Sequence, residues 1–167
     1  MKEKGKLIAF ILVCTVALDQ ISKVVIDQTL PLYASIPVIE DFFSLTYIRN
    51  KGAAFGMMAG SEPVLRLSFL LLFSLLAIIF LIVVLLRLPQ TEKLLTVALA
   101  LILGGAIGNL VDRFLYGEVI DFLDFYWWTF HWPAFNLADS FITIGVTVTL
   151  YRLLTAKGED PFAPAKL

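Results

Sequence analysis

One cysteine and one histidine occur in 167 residues. Cys14, alone, can form neither an internal disulfide nor a thiolate metal cluster. It sits in an apolar run, where a small packed residue is its ordinary role. His131, alone, cannot build a histidine-rich zinc site, and no H-E-x-x-H pattern occurs. Nothing in the chain calls for a metal or another cofactor. Charge is also sparse, at 16% of residues with a formal net charge of -1. No basic patch is interleaved with aromatics, so no nucleic-acid partner is implied. No internal repeat is visible, and no obligate protein partner is evident. What the chain has instead is apolar bulk: 59% hydrophobic residues and a mean hydropathy of +0.88. A soluble domain of this length could not bury that much apolar surface. The expectation is an α-helical, multi-pass membrane protein forming a single integral membrane domain over residues 1–167.

Four apolar runs are long enough to cross a bilayer, at residues 7–26, 65–86, 94–110 and 138–154. The first follows Lys2, Lys4 and Lys6 and resembles a signal peptide at its start. It is long, however, and no small-x-small cleavage site precedes Asp19-Gln20, so it reads as a retained helix. Two mixed segments, 28–64 and 111–134, separate the spans. In the first, residues 35–39 and 43–48 carry the β-branched and aromatic residues of short strands. A small-residue stretch comes next at 50–58, where Phe55, Met57 and Met58 are suited to rest on the bilayer surface. In the second, Tyr126, Trp127, Trp128 and Trp132 fit an interfacial aromatic belt. The tail after Thr155 reads as loose. Lysines and arginines concentrate in the N-terminal tail, the 87–93 turn and the C-terminal tail, which places both termini in the cytoplasm and both mixed segments outside.

Polar groups within membrane spans are costly and therefore functional candidates. Asp19 and Lys23 stand at i,i+4 on the first span and can form an ion pair that makes insertion tolerable, support a polar site, or do both. Asn109, Asp112 and Arg113 stand at i, i+3 and i+4, so one helical face can present all three. Asn136 and Asp139 repeat the Asn-x-x-Asp spacing where the last span begins. Asp19 lies about 20 Å, and Asn109 about 24 Å, from the cytoplasmic end of its own helix. With Asp121 in the second outer segment and Asp139 entering the last span from outside, all fall in the outer half of the membrane or at its surface. Gly104 and Gly108, with Gly105, suit close helix packing.

Two close carboxylates in low dielectric do not both ionise easily, so one keeps a proton. Such a pair serves as general base and general acid together, activating water and polarising a carbonyl, without metal or covalent intermediate. Ser140 has neither a histidine nor an obvious lysine base beside it, which makes it a poor nucleophile. Membrane carboxylates also bind ions or relay protons in transporters, and this alternative stands on the residues alone. Transporter sites, though, favour the midplane at a repeat interface, whereas these groups gather near one surface.

The motifs are more specific than the composition. Asp19-Gln20-Ile21-Ser22-Lys23, Asn50-Lys51-Gly52-Ala53-Ala54-Phe55, the run from Gly104 to Arg113, Val119-Ile120-Asp121-Phe122, and Pro133 to Ser140 occur in order. Together they resemble lipoprotein signal peptidase, also called signal peptidase II, the bacterial membrane aspartyl protease family. The likeness runs from the first span to about Leu154, with no departure at a motif position. It implies four transmembrane helices with a small extracytoplasmic β-sheet cradle and a short surface helix. It also implies an aspartic endopeptidase of the bacterial inner membrane that cuts diacylglyceryl-modified prolipoproteins before the lipidated lipobox cysteine. Diacylglycerol and the surrounding membrane lipid would hold that substrate at the outer interface. By motif the catalytic pair maps onto Asp121 and Asp139. Asp112 competes with Asp121, but its neighbour Arg113 is expected to hold it ionised and buttressing. Asn109 and Asn136 would orient the pair, and Asp19, Lys23, Asn50, Asp112 and Arg113 would support it and help bind the substrate backbone. Asp124 matches no motif and reads as a solvated loop charge. The 53–58 stretch is expected to close over the site.

Overall fold

Proline, glycine and charge punctuate the apolar runs where helices must stop, and four long helices result among the described residues. The computed structural model describes residues 2–52 and 62–156. In chain order it contains α1 (Lys2–Thr29), β1 (Ser35–Ile39), β2 (Phe43–Asn50), α2 (Pro63–Arg87), α3 (Lys93–Tyr116), β3 (Val119–Trp127), β4 (Phe130–His131) and α4 (Leu137–Thr155). Each helix is long and apolar enough to cross a membrane, so the protein is a multi-pass membrane protein. The expected surface helix, the gate at 53–58 with Phe55, Met57 and Met58, and the tail beyond Ala156 lie outside the described residues.

α3 is the central helix and packs against each of the other three. Its glycines permit this. A Cβ at Gly104 would crowd Thr15 of α1, one at Gly108 would meet the Asp19 carboxylate, and one at Gly105 would collide with the Ala138 carbonyl of α4. Gly145 of α4 returns the contact against the Ala98 carbonyl. Close backbone approach of this kind is how membrane helices gain packing where no hydrophobic effect separates protein from lipid. On the other side of α3, Leu95, Leu99 and Leu103 pack with Ile78, Leu81 and Leu85 of α2. α2 has Pro63 in its first turn, where the missing N–H is harmless. The outer faces of α2 and α4 remain apolar and exposed, as a lipid-facing surface requires.

Polar ties close the end of the bundle where α1 starts and α4 stops. Lys4 Nζ donates to the Leu85 and Leu88 carbonyls at 2.5 Å each, satisfying acceptors that a helix end leaves orphaned. Arg152 binds Glu92 through Nε at 3.1 Å and Nη2 at 2.7 Å.

At the opposite end the strands form one antiparallel sheet in the order β1-β2-β3-β4. The two strands anticipated at 35–39 and 43–48 are present, and the second continues to Asn50. Two features differ from the sequence reading. α3 runs past Leu110 to Tyr116 and stops only where Gly117 adopts φ +73° and donates its N–H to the Arg113 carbonyl. Val111, Asp112 and Arg113 therefore belong to the helix. The segment after it, read from sequence only as a mixed stretch with an interfacial aromatic belt, holds β3 and β4. Val119 to Phe122 are all buried, so the strand lacks the inside–outside alternation that marks a half-buried one. The aromatic belt survives as the β3–β4 hairpin, where Trp127, Trp128, Phe130 and Trp132 are exposed.

Asp124 is also corrected. It lies buried in β3 opposite Ser44, with His131 Nδ1 of β4 at 3.0 Å. Pairing across the hairpin, rather than solvent, accommodates its charge.

Candidate active site

The site grows outward from Lys23. Its ammonium, almost wholly buried in α1, lies 2.8 Å from Asp19 Oδ2 and 2.8 Å from Asp112 Oδ2, and it donates to Asn109 Oδ1 at 3.1 Å. The Asp19–Lys23 pair follows from i,i+4 spacing, but the third partner could come only from packing. Burying one cation between two carboxylates satisfies all three ions where any one alone would be costly.

Asp112 was expected to be held by Arg113. It is held by Lys23 instead, and Arg113 makes no ion pair with it among the described residues. Successive residues of a helix project about 100° apart, so neighbours i and i+1 do not face each other. The Arg113 guanidinium turns back to the Asn109 carbonyl at 3.3 Å and to Ser74 Oγ of α2 at 3.4 Å, and its buried Nε has no hydrogen-bond partner among the described residues.

Each carboxylate of this inner cluster also reaches a further element through one oxygen. Asp19 Oδ1 accepts the Ala138 N–H at the start of α4, at 2.9 Å. Asp112 Oδ2 accepts the Ile120 N–H of β3, at 3.2 Å. Gln20, to which the sequence reading assigned no role, donates to Asp112 Oδ1 at 2.9 Å, Asp19 Oδ2 at 3.1 Å and the Gly108 carbonyl at 3.2 Å. An amide beside Asp19 in an apolar span is the signal that points to it. Ser74, one of two serines in α2, carries no comparable signal in its local spacing.

Above the cluster the two candidate aspartates come together. The backbone at Phe135 pairs with Leu123 of β3, which places Asn136 beside Asp121. Asn136 Nδ2 donates to Asp121 Oδ1 at 2.8 Å, while its Oδ1 caps α4 by accepting the Asp139 N–H at 3.0 Å. Asp139 Oδ2 completes a capping box by accepting the Asn136 N–H at 3.3 Å. One residue thus touches both carboxylates. Asn109 Nδ2 donates to Asp139 Oδ1 at 2.8 Å, and Asn50 Nδ2 donates to Asp121 Oδ2 at 2.8 Å. Asn50 is fixed in turn by the Gly52 N–H, which it accepts at 2.8 Å. All nine expected residues, Asp19, Lys23, Asn50, Asn109, Asp112, Arg113, Asp121, Asn136 and Asp139, therefore fall in one neighbourhood.

Asp121 is 2% exposed, and burial pushes its carboxyl up to about 7. The Asn50 and Asn136 amides pull the other way and nearby Asp139 adds to the rise. Asp139 is half-buried and lines an open cavity of about 450 Å³ with Trp132, Phe135, Ser140, Thr143 and Ile144. A protonatable buried carboxyl beside an accessible one is the arrangement required for paired acid–base chemistry.

Known proteins share this architecture. The signal peptidase (SPase) II family matches residues 11–155. A lipoprotein signal peptidase of Desulforapulum autotrophicum is 49% identical over 87% of this chain and 90% of its own length. One of Geobacter sulfurreducens is 49% identical over 89% and 91%. A bacterial membrane enzyme solved at 2.3 Å resolution superposes with a TM-score of 0.78 at 34% identity, covering 90% of this chain and 89% of its own. By fold, by motif and by identity across most of its length, the chain belongs to the signal peptidase II family.

Proposed function

We propose that this protein is an aspartic endopeptidase that removes signal peptides from diacylglyceryl-modified prolipoproteins, cutting before the lipidated lipobox cysteine with Asp121 and Asp139 as its catalytic pair. The observation that carries the assignment is the Asn136 bridge between the two carboxylates, its side-chain amide on Asp121 and its backbone N–H on Asp139. Membership of the family and the names of the relatives supply the substrate class.

The chemistry derives from the two environments. Asp121 keeps its proton to about pH 7, so it is the member suited to donate a hydrogen bond to the scissile carbonyl. Asp139, open to the cavity, takes a proton from water as the water oxygen bonds to the carbonyl carbon. The carbonyl oxygen gains the Asp121 proton. Collapse of the resulting diol breaks the C–N bond, Asp139 passes its proton to the leaving nitrogen, and Asp121 recovers its own as the carbonyl reforms. Asn109, Asn136 and Asn50 orient the pair without adding charge. The ionic cluster of Asp19, Lys23 and Asp112 supports it, and the Arg113 guanidinium, with a spare donor, helps bind the substrate backbone.

A bacterial cytoplasmic membrane location, with both termini cytoplasmic and the site near the outer face, fits the lysine and arginine distribution. It also fits the sheet and the exposed tryptophans at the end of the bundle away from Lys4 and Arg152. The diacylglyceryl group would remain in lipid there and contribute about 0.8 kcal/mol per buried CH₂.

The test is cleavage of a diacylglyceryl-modified prolipoprotein by the protein reconstituted in lipid, monitored by gel shift. Wild type should cleave in the presence of EDTA, and Asp121→Asn and Asp139→Asn should not. Activity surviving in Asp121→Asn but lost in Asp112→Asn would move the pair to Asp112 and Asp139. A well-folded wild type that cleaves nothing would end the protease assignment.

A further inference from the structure

Asp27 occupies an awkward position. It lies in the last turn of α1, which has no basic residue there, and a carboxylate at a helix C-terminus opposes the helix dipole. Its compensation comes from β2. Arg49 Nη2 lies 2.7 Å from Asp27 Oδ1, Arg49 Nε donates to Tyr47 Oη at 2.6 Å, and the Tyr47 hydroxyl donates to the same Asp27 oxygen. The guanidinium also stands over two rings, 4.8 Å from the centroid of Tyr116 and 5.4 Å from that of Tyr47. Tyr116 is the last residue of α3. One side chain thus ties the outer ends of α1 and α3 to the end of β2.

The next residue in the chain is Asn50, whose amide holds Asp121 Oδ2. Asn50 closes β2, paired with Val119, while Ile48 opposite Asp121 begins the segment after a register shift. A strand end beyond an irregularity has few ladder bonds to hold it. Consecutive strand residues project to opposite faces, so anchoring Arg49 on the helix ends fixes the direction in which Asn50 points.

From this geometry we infer that Arg49 is a positioning residue of the reaction, holding the end of β2 so that the Asn50 amide stays on Asp121. It touches neither substrate nor the reacting atoms and acts through Asn50. The inference rests on the proposed role of Asp121.

The readout is the pH dependence of cleavage. The Asn50 bond favours the ionised form of Asp121, so its loss moves the limb belonging to Asp121 to higher pH. The other groups facing Asp121, namely Lys23 of α1, Arg113 of α3 and Asp139 of α4, stay in place. Cleavage of the diacylglyceryl-modified prolipoprotein is measured against pH for wild type, Arg49→Met, Asn50→Ala and the double variant. Arg49→Met should lower kcat about tenfold with little change in KM. It should also raise the limb near neutrality in the same direction as Asn50→Ala, and the double variant should be no worse than Asn50→Ala. Arg49→Lys, which keeps the charge but not the fork or the stacking, should recover only part of the loss. If Arg49→Met does not fold, Tyr116→Leu, at an exposed helix end, removes one side of the clamp and should produce a smaller shift of the same sign. Losses that multiply in the double variant, or an unmoved pH limb in Arg49→Met or Tyr116→Leu, would reduce Arg49 to a structural residue. An inactive wild type would instead overturn the proposed function itself.

Discussion

Asp19 in the first helix and Ala138 in the last are joined by a 2.9 Å hydrogen bond across 119 residues of chain. The carboxylate that accepts this N–H also pairs with Lys23. The start of α4, and with it Asp139, is therefore registered against the ionic core of the protein rather than against the lipid.

Removal of the cation from that core should be severe. Lys23→Met leaves Asp19 and Asp112 buried together without compensation, and breaking a buried ion pair in this way costs about 3–5 kcal/mol. Thermal unfolding in detergent should show the largest loss of any single substitution at the site. A variant as stable as wild type would mean that Asp19 and Asp112 do not share this cation.

Asp121 should make stability depend on pH with a definite sign. Its folded value, about 7, lies above the ordinary 3.8, so the folded state binds more protons than the unfolded state between those limits. Its contribution is fully favourable below about pH 4 and is lost as pH rises toward 7, up to roughly 4 kcal/mol. Asp121→Asn removes this dependence but gives Asn50 or Asn136 one mismatched donor, which costs about 1 kcal/mol. The variant should therefore unfold at a lower temperature than wild type at pH 4 and at a higher one at pH 8, while being inactive throughout. Tm curves without a crossing would contradict the assigned burial of this carboxyl.

Asn136→Ala separates capping from catalysis. Loss of an N-cap costs about 1 kcal/mol of stability. The same substitution removes the amide that holds Asp121 Oδ1 and the oxygen that fixes the Asp139 backbone N–H, so kcat should fall about a hundredfold, more than a stability loss of that size explains. Ser140→Ala, which removes only a bond to the Asn136 carbonyl, should retain most activity.

Two glycines distinguish packing near the site from packing remote from it. A methyl at Gly105 would collide with the Ala138 carbonyl and one at Gly145 with the Ala98 carbonyl. Each alanine variant should lose about 1–3 kcal/mol, because backbone cannot yield as a side chain does. Gly105→Ala displaces the turn that carries Asp139 and should also reduce kcat. Gly145→Ala lies lower on α4 and should leave kcat nearly unchanged in the folded fraction.

Much of this protein is legible before folding. Long apolar runs can only be spans, because a bilayer leaves no other way to satisfy their backbone. The i,i+4 spacing of Asp19 and Lys23 makes their pairing a local matter, and the small residues at 104, 105 and 108 announce close packing wherever a partner helix arrives. The strands at 35–39 and 43–48 are visible from composition, whereas β3 is not, because burial on both faces erases the alternation that identifies a strand. The charge of Asp124 suggests solvent, yet its partner is His131 of the next strand.

The remaining decisions were tertiary. Which cation contacts Asp112 directly depended on the rotation of α3 against α1, and sequence adjacency to Arg113 did not reveal Lys23. Gln20 acquired two of its three acceptors, Asp112 Oδ1 and the Gly108 carbonyl, only when α3 arrived. That Asp121 and Asp139 meet depended on the pairing of Phe135 with Leu123, a contact between segments with no periodic relation. The residue types determined which chemistry was possible and toward which end of the helices it would gather. Long-range packing alone decided which carboxyl is buried, which is open, and which amide joins them, because burial and hydrogen bonding depend on neighbours that local spacing does not specify.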